Sequence, residues 1–135
     1  MPDQLPFEAL ITMALEARTR AYIPYSRFAV GAALLTASGK IYTGCNIENV
    51  SYGLTVCAER VAIWKAVADG ETAFTALAVV TANGGSPCGA CRQVMAEFAP
   101  QMPVAIASLD GSAQITTVAG LLPAAFLPKD LQPDV

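Results

Sequence analysis

The run FAVGAALLT, from Phe28 to Thr36, is apolar at consecutive positions rather than at alternate ones. Successive side chains of a strand point to opposite faces of a sheet. A strand apolar on both faces must therefore be covered on both, which implies a central position in a sheet with helices above and below. The surrounding sequence offers those helices. Phe7, Leu10, Ile11, Ala14, Leu15 and Arg18 recur at helical spacing, predicting an amphipathic helix over roughly 4–20 that ends before Pro24. Ser38-Gly39 turns the chain, and KIYTGCNIE (40–48) returns as the second strand of a hairpin. CAERVAIWKAVA (57–68) has helical composition and stops at Asp69-Gly70, a glycine cap. A buried strand over FTALAVVTA (74–82), a loop over 83–87 and a helix over CGACRQVMAEFA (88–99), closed by Pro100, follow. Residues 103–109 and AQITTV (113–118) give a fourth and fifth strand around a turn at Asp110-Gly111. The apolar tail Leu121–Phe126 needs a cover. The order α-β-β-α-β-α-β-β predicts an α/β fold, a three-layer α-β-α sandwich around a mixed five-stranded sheet. With 135 residues and no visible linker or repeat, a single domain over 1–135 is expected.

Composition narrows what such a domain does. Charged residues make up 14% of the chain against the usual ~25%, and mean hydropathy is +0.47. That leaves little polar surface to clothe a monomer, so buried subunit interfaces are expected. No run of ~20 apolar residues occurs, which argues against a membrane span. Asp3 and Glu8 precede the first basic residue, Arg18, which argues against a targeting segment and for the cytoplasm. Net charge is −3 and the eight basic residues are scattered singly, unlike a nucleic-acid-binding surface. A small-molecule partner is the better expectation. With no histidine in the chain, Ser-His-Asp, Cys-His and His-zinc chemistries are excluded. Proton transfer falls to carboxylate, thiol, lysine or metal-activated water.

Against that background two short runs stand out, Val56-Cys57-Ala58-Glu59-Arg60 and Pro87-Cys88-Gly89-Ala90-Cys91-Arg92. Each lies where a helical pattern begins. A Cys-x-x-Cys pair sets two thiolates one helical turn apart; a third from elsewhere leaves the fourth tetrahedral position open, as in catalytic rather than structural zinc sites. Glu59, two residues from Cys57, is close enough to serve as the proton shuttle. By itself Cys88-x-x-Cys91 is equally compatible with a thiol redox pair or with half of a structural zinc site. The first leaves Cys57 and Glu59 unexplained, and the second needs a fourth ligand, for which Cys45 is the only spare thiol. Cys45 reads instead as a small buried apolar residue. If three thiolates hold zinc, the site carries net negative charge. Arg60, three residues after Cys57 and on its helical face, is placed to donate to ligand sulfurs from behind them. Arg92 falls one residue past Cys91, off that face, and reads as a solvated helix charge.

The segments SRFAVGAALLTASGKIYTGCNIENVSYGLTVCAERVAIWKAV, SPCGACRQVMAEFAP and LLPAAFLPKDL resemble those of the small, homotetrameric, zinc-dependent cytidine deaminases, over nearly the whole chain and in that family's order. The resemblance implies one Zn²⁺ per chain on Cys57, Cys88 and Cys91, with Glu59 as general acid/base for the attack of water on C4 of the pyrimidine. It further implies that Asn46 and Glu48 bind the ribose, that Phe28 flanks the ring and that the backbone around Ala58 contacts the base. Tyr52 and Phe126 match positions that help build a neighbouring subunit's pocket. Ser86 stands where its backbone carbonyl could accept from the 4-amino group. Thr55-Val56 departs from the small polar residue or cysteine frequent before the first ligand, which touches only pocket shape. The implied activity is deamination of cytidine and deoxycytidine to uridine and deoxyuridine, in pyrimidine salvage. A deaminase of a related aminopyrimidine nucleoside, such as blasticidin, shares the zinc motifs; the Asn46-x-Glu48 pair favours a nucleoside.

Overall fold

Five strands, β1 (Gly31–Thr36), β2 (Ile41–Cys45), β3 (Phe74–Thr81), β4 (Pro103–Ser108) and β5 (Ala113–Thr117), form one sheet in a computed structural model that describes residues 7–134. Their order is β2-β1-β3-β4-β5. Only β3 and β4 run parallel, and the other three pairings are antiparallel, so the sheet is mixed as expected. The parallel pair needs a crossover, supplied by α3 (Gly89–Phe98).

Apolar residues on successive strand positions sort into two cores. Ala33, Ala76, Ala78, Val80, Ala105 and Ala107 face Leu10 and Ala14 of α1 (Phe7–Arg18). Ala32, Leu34, Leu77, Val79, Val104 and Ile106 face the other way, against Ala62, Ile63 and Ala66 of α2 (Ala58–Ala68) and Met95 and Ala96 of α3. The alanine-rich face lets α1 settle close: a Cβ at Gly31 would fall on the Ala14 carbonyl oxygen. The predicted α-β-α layering is present, with both cysteine-bearing helices on one side of the sheet.

Several element ends differ from the sequence expectation. The helix over 4–20 is α1 in its described part, residues 4–6 lying outside the described residues. The strand expected over 40–48 stops at Cys45, because the Asn46 side chain itself bonds the neighbouring backbone, donating to Phe28 O at 2.7 Å and accepting from Val30 N at 2.9 Å. That is the competition with the ladder that a short amide side chain offers. The first strand begins at Gly31 rather than Phe28, since Arg27 holds φ at 58° and turns the chain just before it. Val118 is not in β5 but opens a short helix, α4 (Val118–Leu121), capped by the Thr117 hydroxyl accepting from Gly120 N at 3.0 Å. Beyond it the tail finds part of its cover within the chain: Leu121, Leu122, Ala125 and Leu127 pack against the α2/α3 core.

Candidate active site

Cys57 and Cys88 are the N-cap residues of α2 and α3, and Cys91 lies one turn into α3. Their sulfurs come together although 31 residues separate the first two. Cys57 Sγ is 3.6 Å from Cys88 Sγ, Cys88 Sγ is 3.5 Å from Cys91 Sγ, and all three lie within 4.8 Å of one another. Tetrahedral zinc with Zn–S bonds of about 2.3 Å sets sulfurs roughly 3.8 Å apart. The trio therefore fits one zinc ion with little movement, and its ligand set leaves a fourth position to be filled from outside the trio. Cys45, half-buried on β2, is not in the group.

Backbone packing holds the first helix turn in place. Gly44 of β2 lies where α2 crosses it: a Cβ there would fall on the Ala58 carbonyl oxygen and 2.7 Å from Ala62 N. Ala58 is fully buried and Glu59 is 3% exposed. Burial pushes the Glu59 carboxyl up to about 7, with the Cys57 charge adding to the rise while its own backbone hydrogen bond and Arg60 oppose it. A carboxyl near neutrality suits a group that must both take and return a proton. The Cys57 thiol is held down to about 5 by a hydrogen bond from Cys91 and by Arg60, against the opposing effect of burial. Cys91 is pushed up by the same bond, by burial and by Glu59. Cys57 thus carries charge at the expense of Cys91, the condition a bound cation would relieve.

Arg60 reaches back along its helix as expected, with Nη2 3.5 Å from Cys57 Sγ and its guanidinium carbon 5.8 Å from the Trp64 ring centroid. It has no carboxylate partner among the described residues. Arg92 overturns its reading as a solvated charge. Nε donates to Pro87 O at 2.7 Å, Nη1 to Leu121 O at 2.7 Å and Nη2 to Ser86 Oγ at 2.8 Å.

A cavity of about 300 Å³ opens beside the sulfurs, at the small end of the range for ligand sites. Cys57, Cys88, Glu59 and Ser86 line it together with Phe28, Asn46 and Glu48. Two of the three thiols expected at the metal, Glu59, and four of the residues expected at the base and sugar therefore share one chamber, with Thr55 and Val56 in its wall; the buried Cys91 and Ala58 are not in its lining. Phe28 is 40% exposed and precedes β1, so it is not the plain core residue of a buried strand. Asn46, 8% exposed, spends one donor and one acceptor on the backbone, leaving one N–H and one lone pair. Glu48 accepts from Tyr25 N at 2.9 Å, Ser26 N at 3.1 Å and the Ser26 hydroxyl. Those bonds, the hydroxyl's above all, hold its carboxyl below the usual carboxylate range.

Ser26 is the residue that sequence reasoning missed here. Its Oγ also accepts from Phe28 N at 3.0 Å, so one hydroxyl fixes both Glu48 and Phe28. No spacing announces it; a serine two residues before an aromatic and flanking a left-handed residue is the only local signal. Within one chain, neither Tyr52 nor Phe126 lines this cavity. Tyr52 stacks edge-on to Tyr25 at 5.8 Å beside an adjoining hollow that shares Ser26, Glu48 and Thr55. Phe126 stands 58% exposed on the tail.

A family profile described as "Cytidine and deoxycytidylate deaminase zinc-binding region" matches residues 6–107. Cytidine deaminase from Sporosarcina psychrophila is 58% identical over 127 residues, covering 92% of this chain and 93% of that protein. Cytidine deaminase from Halalkalibacterium halodurans is 52% identical over 127 residues, covering 92% and 96%. Among solved structures, cytidine deaminase from Burkholderia pseudomallei superposes with a TM-score of 0.85 at 50% identity, over 88% of this chain and 98% of that one.

Proposed function

The chain belongs to the cytidine and deoxycytidylate deaminase family, and on that premise we propose that it hydrolyses cytidine and deoxycytidine to uridine and deoxyuridine, releasing ammonia, as a step of pyrimidine salvage. One observation carries the reading: the buried Glu59 and two of the three clustered thiols open into the same chamber as Phe28, Asn46 and Glu48. Cys57, Cys88 and Cys91 would hold one zinc ion per chain, which would supply Lewis acidity toward water. Glu59 moves the protons, taking one from the attacking water and delivering protons to N3 and then to the departing amine. The spare N–H and lone pair of Asn46, with the Glu48 carboxylate, hold the ribose, a remote contact that fixes where C4 sits. Phe28 flanks the ring, the Ala58 amide contacts the base, and the Ser86 carbonyl accepts from the 4-amino group. Arg60 offsets part of the thiolate charge.

The protein acts as a homotetramer in the cytoplasm, with Tyr52 and Phe126 completing pockets of neighbouring copies. Support comes from the apolar side chains that a lone chain leaves exposed, among them Tyr22, Val50, Tyr52, Leu54 and Phe126. No helix among the described residues is long and apolar enough to cross a membrane. Sedimentation showing a fully active 14.0 kDa monomer would end the tetramer reading.

Ammonia release from a panel of cytidine, deoxycytidine, cytosine and blasticidin, with zinc content measured on the same sample, tests the activity. The expected result is turnover of both nucleosides with one zinc per chain. Turnover of blasticidin alone would move the substrate to another aminopyrimidine nucleoside. Zinc without turnover of any member would favour a structural metal site, and reversible Cys88–Cys91 oxidation without zinc a redox pair.

A further inference from the structure

Of the three clustered cysteines, Cys88 is the most exposed, and apart from the other two sulfurs its own is held only by Cys91 N at 3.5 Å and by the path of the loop that leads to it. Cys91 is buried inside α3, and Cys57 sits at the end of a helix pressed onto Gly44. Cys88 is exposed and follows Asn83-Gly84-Gly85-Ser86-Pro87, where Gly84 takes φ 72° and the adjacent glycines leave the start of the loop with wide freedom. Upstream, that loop is pinned where Gly85 N donates to Thr81 Oγ1 at 2.8 Å. At its Cys88 end it is pinned by Arg92, whose Nε and Nη2 reach Pro87 O and Ser86 Oγ, one and two residues before the cysteine.

The third arm of the same guanidinium reaches Leu121 O, 29 residues further on, at the end of α4. The next side chain, Gln93, donates from Nε2 to Phe126 O at 2.5 Å. Adjacent residues of α3 therefore hold the tail at two points, and one of them holds the cysteine loop as well. An arginine suits the task because its planar fork presents several N–H donors in fixed directions, whereas a lysine presents a point charge on a flexible stem.

We propose that Arg92 is a positioning residue. It sets the path of Ser86-Pro87-Cys88, hence the Cys88 sulfur and the Ser86 carbonyl, and makes that path depend on the docked tail from Leu121 to Phe126. The consequence for the metal and the base rests on the deaminase reading; the consequence for loop and tail order does not.

Arg92→Ala and Arg92→Lys, prepared zinc-loaded as the full chain, test this by two independent readouts. The first is the rate of zinc release to a chromophoric chelator, taken with kcat and KM for cytidine. The second is amide hydrogen exchange over residues 84–91 and 121–127. Arg92→Ala should release zinc roughly 10 to 100-fold faster, the range for losing a group that orients a metal ligand. Exchange should rise in both segments together while the β1 and β3 amides stay protected. Arg92→Lys should stay within about threefold of the alanine variant, because charge without the fork cannot bridge three acceptors. A lowered melting temperature with zinc release and exchange over 84–91 unchanged would overturn the proposal, reducing Arg92 to a stability contact. So would full recovery in Arg92→Lys, or loosening of only one segment. If the wild-type chain holds no zinc, the deaminase reading fails, and the exchange arm alone decides whether Arg92 couples loop to tail.

Discussion

The cavity has two ends that are built in different ways. At the cysteine end, three sulfurs and Glu59 stand on the first turns of two helices packed on the same face of the sheet, and Ala58, Glu59 and Cys91 are buried. Helix geometry and close packing set their positions, as the contact of α2 on Gly44 illustrates. At the sugar end, Phe28 and Glu48 stand on loops outside any strand, tied by side-chain-to-backbone bonds through Ser26 and Asn46. The first end is fixed largely by packing, with Cys88 at its exposed edge; the second is fixed by hydrogen bonds, those to Glu48 lying where water competes. Damage should accordingly be catalytic or metal-linked at the cysteine end and fall chiefly on substrate affinity at the sugar end.

The largest effect expected at the cysteine end is that of Glu59→Gln. The substitution is nearly isosteric and leaves all three sulfurs in place, so fold and zinc content should be kept. Turnover should fall by the ~10² to 10⁴-fold that a positioned acid/base contributes, with KM changed little. Ammonia release alongside metal analysis checks it. A zinc-loaded variant within tenfold of wild type would mean that Glu59 is not the shuttle.

Arg60→Ala comes next in size. Three thiolates would outweigh the charge of the one zinc ion proposed here, and excess negative charge would weaken the metal's pull on water. The converging N-termini of α2 and α3 offset part of it, and the Arg60 guanidinium 3.5 Å from Cys57 Sγ offsets more. Turnover or zinc retention should drop roughly 10 to 100-fold, with KM much less affected, and Arg60→Gln should be intermediate because it keeps a donor and loses the charge. Undiminished turnover and undiminished resistance to a chelator in Arg60→Ala would show that the charge is balanced otherwise. Arg92 offers no neutral comparison for this experiment, since it grips the loop leading to Cys88.

The same contrast explains what could be read from the chain in advance. Element order, the doubly covered sheet and the sulfur trio depend on local patterns: consecutive apolar residues in FAVGAALLT, and cysteines that begin helices. Packing then carries such residues to one place with little freedom. Illegible were the features set by single residues, through side-chain bonds over long sequence distances or through an uncommon backbone angle. Asn46 ends β2 by taking Val30 N and Phe28 O for itself. Arg27 turns the chain at φ 58°, which moves Phe28 off the strand. Arg92 bonds a carbonyl 29 residues away, and a backbone acceptor has no residue-type signature. Only α4 carried a usable sign, Thr117 at an N-cap position.

The smallest and most selective effect belongs to Ser26, at the sugar end. Ser26→Ala removes the hydroxyl that donates to Glu48 Oε2 and accepts from Phe28 N, while Tyr25 N and Ser26 N stay on Glu48 Oε1. The carboxylate keeps part of its cradle, so KM for cytidine should rise only about three- to tenfold, less than the full loss of a hydrogen bond to a charged group. Turnover at saturation and zinc content should be unchanged, and Ser26→Thr, which keeps a hydroxyl, should recover most of the loss. The pH dependence is a sharper test. The Ser26 hydroxyl is the largest cause holding Glu48 below the usual carboxylate range, and the ribose contact proposed for Glu48 would need the ionised form. That form is present above the folded pKa and is lost as pH falls through it. Removing the hydroxyl raises that pKa toward the ordinary ~4.3, so on acidification KM of Ser26→Ala should begin to climb at a higher pH than KM of wild type. The titration of the substrate itself is common to both and cancels in the comparison. If the two KM–pH curves differ only by a constant factor, Ser26 holds Phe28 but does not tune Glu48; if they superimpose outright, the sugar end is not organised through this hydroxyl at all.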